Sequence, residues 1–205
     1  GSEMCIRDRY YTGYFDAATS FRHALFQTVS IASTTGFASS DFNLWPDFSR
    51  YVLLLLMFVG GCSGSTAGGM KVSRFVILLK VTWAELRRTI HPRLVYSIKM
   101  GGRNVPPVVV GNVTRFFYLY MIVFSTLTLL ISLTGISMLD SMGIIAACMS
   151  SVGPAFGIVG PTATYADVST FGRLVVIAAM ILGRLEIFTL LIIMRPDFWR
   201  VKRNW

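Results

Sequence analysis

Charged side chains are scarce in this chain. Asp, Glu, Lys and Arg make up 14% of its 205 residues, against 54% hydrophobic residues, and the mean hydropathy is +0.61. Such a composition argues against an ordinary water-soluble domain and is typical of a protein that spans a membrane. The informative unit is then the apolar segment, which needs about 20 residues to cross a bilayer as a helix.

Cysteine and histidine are also few. Cys5, Cys62 and Cys148 have neither the even number of a disulfide framework nor the close spacing of zinc ligands. We therefore expect no disulfide, no zinc site and no covalent cofactor. Nothing in the sequence predicts a cleavable signal peptide, and residues 1–9 fit nothing that follows, so they are treated as non-native or unassigned.

Basic residues are absent between Ile136 and Gly172 but abundant earlier in the chain. Nine Lys and Arg and a single acid lie between Lys71 and Arg115. Because membrane proteins keep their basic loops in the cytoplasm, the linker at residues 84–112 and the basic C-terminal tail are both predicted to be cytoplasmic. The formal net charge of +9 thus reflects topology, and no nucleic acid partner is expected.

Two apolar segments are too short to cross a bilayer, and each ends at a turn that contains glycine. The first ends at about Ala32 and is followed by STTGF (residues 33–37, the N-terminal turn). The second, residues 141–150, runs into SSVGPAFG (residues 150–157, the C-terminal turn). Ser, Thr and Asp are favoured at helix N-caps. The candidate caps are Thr19 or Ser20 for the first helix and Asp140 for the second.

Longer apolar segments follow each turn. Residues 116–137 and 171–194 are each long enough to span a bilayer. A continuous helix from Tyr51 to Trp83 would be well over the roughly 30 Å of a hydrocarbon core. This segment is interrupted by GGCSGSTAGGMK (residues 60–71, the glycine loop), so we expect a broken helix with one half on each side of the loop.

The basic linker has two runs with β propensity on either side of Gly101 and Gly102. Two glycines between such runs are typical of a tight hairpin. A small hairpin and an unstructured loop are both compatible with this stretch.

The order of elements repeats along the chain: short helix, glycine turn, long span. Residues 48–60 align with residues 171–183 at an offset of 123 and share five identities. The turn glycines Gly36 and Gly153 align at an offset of 117, so the second copy is expected to have a longer loop between turn and span. Internal repeats are common in membrane transport folds.

A short helix that enters a membrane and turns back exposes backbone at depth, which is tolerated only beside protein or a water-filled cavity. Glycine at the turn permits positive φ, and helix C-termini aimed at the turn favour a cation. Backbone carbonyls there can replace the hydration shell of an ion. The alternative is that these segments are plain loops at helix ends. The candidate filter residues are Thr34, Thr35, Gly36, Phe37, Ser151, Val152, Gly153 and Pro154.

These motifs resemble the Trk/Ktr/HKT superfamily of potassium transporters, most closely its TrkH-type branch. The resemblance covers about residues 15–205 and rests on STTGF, GGCSGSTAGGMK, SVGPAFG and GRLEIFTLL. It implies an all-α membrane protein in which four helix–pore loop–helix repeats surround one pore. Residues 10–83 would be the pore loop and broken second helix of the third repeat, and residues 113–205 a complete fourth repeat with a cytoplasmic tail.

The resemblance also implies roles for single residues. Gly36 and Gly153 would be filter glycines, and Arg184 a pore-facing barrier beside the glycine loop. An intramembrane arginine is costly and usually faces a cavity or a partner, so an ion pair or bonds to loop carbonyls are the structural alternative for Arg184. Pro154 departs from the glycine-phenylalanine pattern of the other turn. The loop that would obstruct the pore comprises Gly60, Gly61, Cys62, Ser63, Gly64, Ser65, Thr66, Ala67, Gly68, Gly69 and Lys71.

Taken together, the resemblance implies a potassium uptake channel or transporter subunit that conducts monovalent cations and is not an enzyme. It would be a multi-pass protein of the bacterial inner membrane, surrounded by the lipid bilayer. Its expected partners are a second copy in a homodimer and a cytosolic, nucleotide-binding regulatory subunit of the TrkA type. Potassium is the transported ligand.

Two other interpretations of the glycine loop remain open at this point. Gly60, Gly64 and Gly68 form small-xxx-small steps, which would make the chain a non-conducting component of a helix bundle. GCSG at residues 61–64 matches the GxSG motif of intramembrane serine proteases, but such a serine needs a histidine base at the same depth. The two histidines, in the first short helix and in the basic linker, are poorly placed for that role.

Overall fold

The computed structural model describes residues 17–61, 65, 68–90 and 98–184, and in these ranges the chain is mostly helical. Two pairs of two-residue strands and three short 3-10 turns, Phe42–Leu44, Gly157–Val159 and Tyr165–Asp167, complete the described structure. The helices are α1 (Ala17–Ala32), α2 (Asp47–Phe58), α3 (Val72–Ile90), α4 (Pro107–Ser132), α5 (Met138–Met149) and α6 (Thr170–Arg184).

Both predicted helix caps were wrong. Helix α1 is already helical at Ala17, so Thr19 and Ser20 lie inside it. The cap of α5 is Ser137, whose side chain accepts a hydrogen bond from the backbone N–H of Asp140 at 3.2 Å and donates one to the carboxylate of Asp140 at 2.9 Å. The first of these bonds makes Ser137 the N-cap, and the second holds Asp140 in the first turn, where a negative charge interacts favourably with the helix dipole.

The long helices extend beyond their predicted limits on the side of the basic linker. Helix α4 begins at Pro107 rather than Phe116, because proline at the first helical position supplies the required φ and needs no backbone partner. Helix α3 continues past Trp83 to Ile90. Within the described residues, α4 is the one helix that is long and apolar enough to cross a membrane.

Helix α5 lies at the centre of the described structure. It packs against α4 on one side and α6 on the other, and it also contacts α2. Residues 143–149 are all buried. Phe156, beyond the C-terminal turn, packs so closely on Gly143 that a Cβ there would lie 2.6 Å from its ring. The short helix is therefore enclosed by protein, as a re-entrant segment must be.

Of the two alternatives left open for the linker, the structure shows the hairpin. Strands β3 (Lys99–Met100) and β4 (Arg103–Asn104) pair antiparallel, and Gly101 and Gly102 have φ of +56° and +79°. Positive φ at both central positions is the requirement of a type I′ turn. The ammonium of Lys80 donates to the carbonyl of Lys99 at 2.6 Å, which attaches the hairpin to α3.

The glycine loop interrupts the helix as the sequence predicts. Helix α2 ends at Phe58 and α3 begins at Val72. Between them, strands β1 (Val59–Gly60) and β2 (Met70–Lys71) pair in parallel, so the two ends of the loop are joined by backbone hydrogen bonds. A Cβ at Gly60 would lie 2.1 Å from the carbonyl oxygen of Gly68, so glycine is required at this crossing.

A candidate ion pathway at two glycine turns

The N-terminal turn ends helix α1 with a Schellman motif. The N–H of Thr34 donates to the carbonyl of Ile31 at 3.0 Å, and that of Thr35 to the carbonyl of Ser30 at 2.9 Å. This pattern satisfies carbonyls that a helix end otherwise leaves without partners. Thr34 occupies the left-handed position, with φ of +56°, where glycine is the usual residue.

The C-terminal turn ends helix α5 with the same motif. The N–H of Ser151 donates to the carbonyl of Cys148 at 3.1 Å, and that of Val152 to the carbonyl of Ala147 at 2.9 Å. Ser151 is the left-handed residue, with φ of +57°. The two turns are thus alike bond for bond at an offset of 117, which supports the repeat inferred from sequence.

Both turns hold a strained residue. A non-glycine residue in the left-handed region costs about 1–2 kcal/mol, and Thr34 and Ser151 both adopt it. Two residues later, Gly36 and Gly153 also have positive φ, of +79° and +101°. Repeated strain at equivalent positions is characteristic of sites where geometry serves a function.

The two turns contact each other at Gly36. A Cβ on Gly36 would lie 2.0 Å from the carbonyl oxygen of Val152 and 3.2 Å from Cδ of Pro154. A Cβ on Gly153, in contrast, would meet no atom within 4 Å. The structure therefore brings the two predicted filter segments side by side, with one glycine at their contact and the other facing open space.

Two carbonyls of the turns are bonded to hydroxyl groups behind them. The Ser30 hydroxyl donates to the carbonyl of Phe37 at 2.6 Å. The Tyr165 hydroxyl donates to the carbonyl of Gly153 at 2.7 Å. Burial raises the pKa of Tyr165 above its ordinary value, so this hydroxyl remains protonated and able to donate at neutral pH.

The glycine loop reaches both turns through Gly68. Its N–H donates to Oγ1 of Thr34 at 3.3 Å. Its Cα lies against the C-terminal turn, where a Cβ would be 2.0 Å from the carbonyl oxygen of Ser150. The Ser150 hydroxyl in turn donates to the carbonyl of Met57, in the last turn of α2. The loop is thus attached to the ends of α1, α5 and α2 at once.

Only part of the predicted loop can be placed. Gly61, Ser65, Gly68 and Gly69 belong to the described residues, and the ammonium of Lys71 donates to the carbonyl of Ser65 at 3.4 Å. Five predicted loop residues lie outside the described residues: Cys62, Ser63, Gly64, Thr66 and Ala67.

The packing interpretation of the loop glycines requires one continuous helix, which the structure does not have. Gly60 lies in β1 and Gly68 lies between the strands, so they do not form a helix face. The candidate protease serine, Ser63, lies outside the described residues. Nδ1 of His23 is hydrogen-bonded to the Ser39 hydroxyl at 2.9 Å.

Arg184 is the last described residue of α6, and its side chain is exposed. Its neighbour Gly183 packs against the end of α5, since a Cβ there would lie 2.1 Å from the carbonyl oxygen of Met149. Arg184 is therefore one residue from a close helix contact beneath the C-terminal turn. Its predicted role as a barrier stays a prediction.

The outer segments of the two copies also correspond. Asp41 and Thr164 each cap a 3-10 turn through the side chain, at an offset of 123. The residue after the cap is Phe42 in the first copy and Tyr165 in the second. Because the turn glycines align at 117, the six extra residues lie between Gly153 and Tyr165, as the sequence predicts.

Sequence reasoning missed Tyr165 and Asn43. Asn43 clamps the extra loop of the second copy: Nδ2 donates to the carbonyl of Gly157 at 3.2 Å, and Oδ1 accepts from its N–H at 2.9 Å. The alignment at offset 123, extended six residues toward the N-terminus, would have placed Tyr165 opposite Phe42 and marked it as a polar departure.

Comparison with known proteins gives one consistent family. The family model TrkH, described as a cation transport protein, matches residues 8–200. The Trk system potassium uptake protein TrkH of Vibrio parahaemolyticus is 44% identical over 197 residues, which cover 96% of this chain and 40% of the relative. The protein of the same name from Escherichia coli K12 is 39% identical, over 93% of this chain and 39% of the relative.

The fold agrees with a solved structure. The crystal structure of the potassium transporter TrkH from Vibrio parahaemolyticus matches with a TM-score of 0.87 and 41% identity, over 97% of this chain and 42% of that chain. The chain thus spans about two fifths of the length of these relatives. The relatives are transport proteins rather than enzymes. The chain belongs to the TrkH family of cation transport proteins.

Proposed function

We propose that the protein containing this chain conducts potassium into the cell through a pathway lined by the two glycine turns and closed by the glycine loop. The observation that carries the proposal is that Gly68 contacts both turns, by a hydrogen bond to Thr34 and by close packing on Ser150. The names of the relatives, potassium uptake proteins, supply the ion.

The turns have the chemistry of a cation filter. Helices α1 and α5 both end at a turn, so each directs the negative end of its dipole, equivalent to about half a charge, toward the same region. Carbonyl and hydroxyl oxygens of these turns can replace water around a monovalent cation. Enclosure of α5 by protein fixes the C-terminal turn, because a buried helix end cannot shift without disturbing its neighbours.

The glycine loop can act as a gate because the described contacts that join it to the turns are a hydrogen bond and close packing, which can be broken without unfolding a helix. Opening requires the bond from Gly68 to Thr34 and the contact with Ser150 to break, while the pairing of β1 with β2 keeps the ends of the loop in place. Gly69, with φ of +72°, can change direction at low steric cost. A positive charge at Arg184 near the loop would oppose a cation until the loop moves.

The surroundings of the pathway follow from the same family assignment. We expect a bacterial inner-membrane protein whose missing repeats complete the pore, with the linker and C-terminus in the cytoplasm. Arg87 and Arg88 in the last turn of α3 agree with a cytoplasmic position for that end. A homodimer and a cytosolic TrkA-type regulator that binds nucleotides are the expected partners. The regulator shifts the gate only if it binds one loop state more tightly.

The first test is rubidium uptake into vesicles that contain the complete parent protein and its regulator. Gly36→Val should abolish uptake, because the new side chain meets the carbonyl of Val152 in a backbone conformation that valine rarely adopts. Gly135→Val is the matched control: Gly135 also has positive φ, of +87°, but a Cβ there meets no atom within 4 Å. Wild-type uptake by Gly36→Val would contradict the filter assignment.

The barrier is tested in the same assay with Arg184→Ala. We expect uptake to rise, because removal of the charge removes a repulsion that the ion must overcome. Unchanged or reduced uptake would make Arg184 a structural residue and leave the loop alone as the gate.

A further inference from the structure

The Tyr165 hydroxyl lies between helix α5 and the C-terminal turn. It donates to the carbonyl of Gly153 at 2.7 Å and is 3.4 Å from Sγ of Cys148, which is fully buried in α5. The carbonyl of Gly153 therefore points back toward the protein, at a hydroxyl, rather than into the open space beside the turn.

The hydroxyl of Tyr165 restrains this carbonyl directly. The peptide group between Gly153 and Pro154 has no N–H, so the carbonyl is its one polar group. Gly153 has φ of +101° and open space where a Cβ would be, so no side chain of its own limits rotation of this peptide, whose other residue, Pro154, lies beside Gly36. A hydrogen bond from a tyrosine is then a large part of what holds the peptide in place.

The first copy is held differently. Phe42 occupies the equivalent position and has no hydroxyl; its ring packs edge-on against Phe156, with centroids 5.4 Å apart. The hydroxyl that supports the N-terminal turn comes instead from Ser30, within α1, and bonds to the carbonyl of Phe37 rather than to that of Gly36. A tyrosine at this position is thus found only in the second copy of the repeat.

We propose that Tyr165 is a positioning residue that sets the cation selectivity of the pathway by holding the carbonyl of Gly153 in the C-terminal turn. This inference rests on the proposed function. A turn fixed at a spacing suited to a large ion penalises a small one, which needs shorter distances to its ligands. Without the hydroxyl, the Gly153–Pro154 peptide is free to turn and close around sodium.

The experiment compares Tyr165→Phe with wild type in the complete parent protein with its regulator, reconstituted in vesicles. The measurements are the half-saturating rubidium concentration, the inhibition constant of sodium and the maximal rate per amount of protein. We expect the selectivity for rubidium over sodium to fall about three- to tenfold, the size of effect that one hydrogen bond supplies. The maximal rate should change less, because the variant removes a single oxygen.

Tyr118→Phe is the matched control. It makes the same chemical change on the exposed surface of α4, where Tyr118 is 64% exposed, and should leave the ratio unchanged. Replacement of Tyr165 by 3-fluorotyrosine, which fills nearly the same space and donates more strongly, should keep the ratio at or above wild type.

The outcomes separate this inference from the proposed function. Rubidium uptake by wild type with an unchanged ratio in Tyr165→Phe would overturn the role of Tyr165 and leave the pathway intact. A lower maximal rate with an unchanged ratio would assign the tyrosine to stability alone and would equally overturn it. No uptake by wild type, beside a working control transporter, would reject the pathway and the inference with it.

Discussion

The N-terminal and C-terminal turns have the same backbone and different supports. Both end a short helix with a Schellman motif that has a strained hydroxyl residue, Thr34 or Ser151, at the left-handed position. The two turns share the contact of Gly36 with Val152. The N-terminal turn is further held by the Ser30 hydroxyl, bonded to the carbonyl of Phe37, and by the bond from Gly68 to Thr34. The C-terminal turn is further held by the Tyr165 hydroxyl, which donates to the carbonyl of Gly153. The same backbone motif is therefore stabilised by different side chains in the two copies.

The comparison suggests that the two turns have different roles. The N-terminal turn is the one that hydrogen-bonds to the glycine loop, so in the proposed pathway we expect it to respond to movement of the loop. The C-terminal turn has the carbonyl bonded to Tyr165 and the proline, so in the proposed pathway we expect it to set the selectivity for the ion. Substitutions at equivalent positions should then have unequal effects, and the inequality can be measured.

The largest difference is expected between the two turn glycines. Gly36→Ala should reduce rubidium uptake by at least 100-fold, because its Cβ would overlap the carbonyl oxygen of Val152. Gly153→Ala adds only the strain of positive φ, about 1–2 kcal/mol or roughly tenfold. Uptake by the two variants, normalised to protein amount, gives the comparison. Equal losses would show that the turns are held alike.

A smaller effect, of opposite sign, is expected for the bond between turn and loop. Thr34→Val keeps the shape of the side chain but removes the acceptor for Gly68, so uptake without the regulator should rise about two- to tenfold. Thr126→Val is the control, since Thr126 is exposed on α4 and its hydroxyl bonds to the carbonyl of Ile122 in the same helix. A fall in uptake with Thr34→Val would assign that hydroxyl to the ion instead of the gate.

The smallest effect is expected at the clamp between the two copies. Asn43→Ala removes both hydrogen bonds to Gly157 and should lower the melting temperature by a few degrees, with a two- to threefold loss of uptake. Ala166 occupies the equivalent position in the second copy, so Ala166→Asn should change neither quantity. Thermal unfolding followed by tryptophan fluorescence measures the first of these effects. An unchanged melting temperature in Asn43→Ala would show that other contacts join the copies.

Much of this arrangement can be predicted from the sequence because glycine and hydrophobic length carry strong local signals. The turns at Gly36 and Gly153 and the break at the glycine loop lie where the sequence predicts them, and the hairpin at Gly101 and Gly102 is one of the two alternatives that it left open. Each depends on glycine, because a residue without a side chain is favoured wherever the backbone takes a positive φ or approaches a neighbour closely.

The features that could not be predicted depend on which of several nearby side chains makes a given hydrogen bond. Ser137 rather than Asp140 caps α5, because the serine stands one residue before the helix and its hydroxyl accepts from the backbone N–H of Asp140. The partner of the Tyr165 hydroxyl depends on a contact across the fold, which no local pattern reports. The same holds for Ser150 and its bond to Met57.

The paired strands at the base of the glycine loop have a consequence for protein engineering. Val59 pairs with Met70, and Gly60 pairs with Lys71. The glycine loop therefore begins and ends at neighbouring positions. Residues between the two strands can then be exchanged as a cassette, shortened or replaced by the corresponding segment of a relative, without altering where α2 ends and α3 begins. Glycine loops from different members of the family could in this way be compared on the same scaffold.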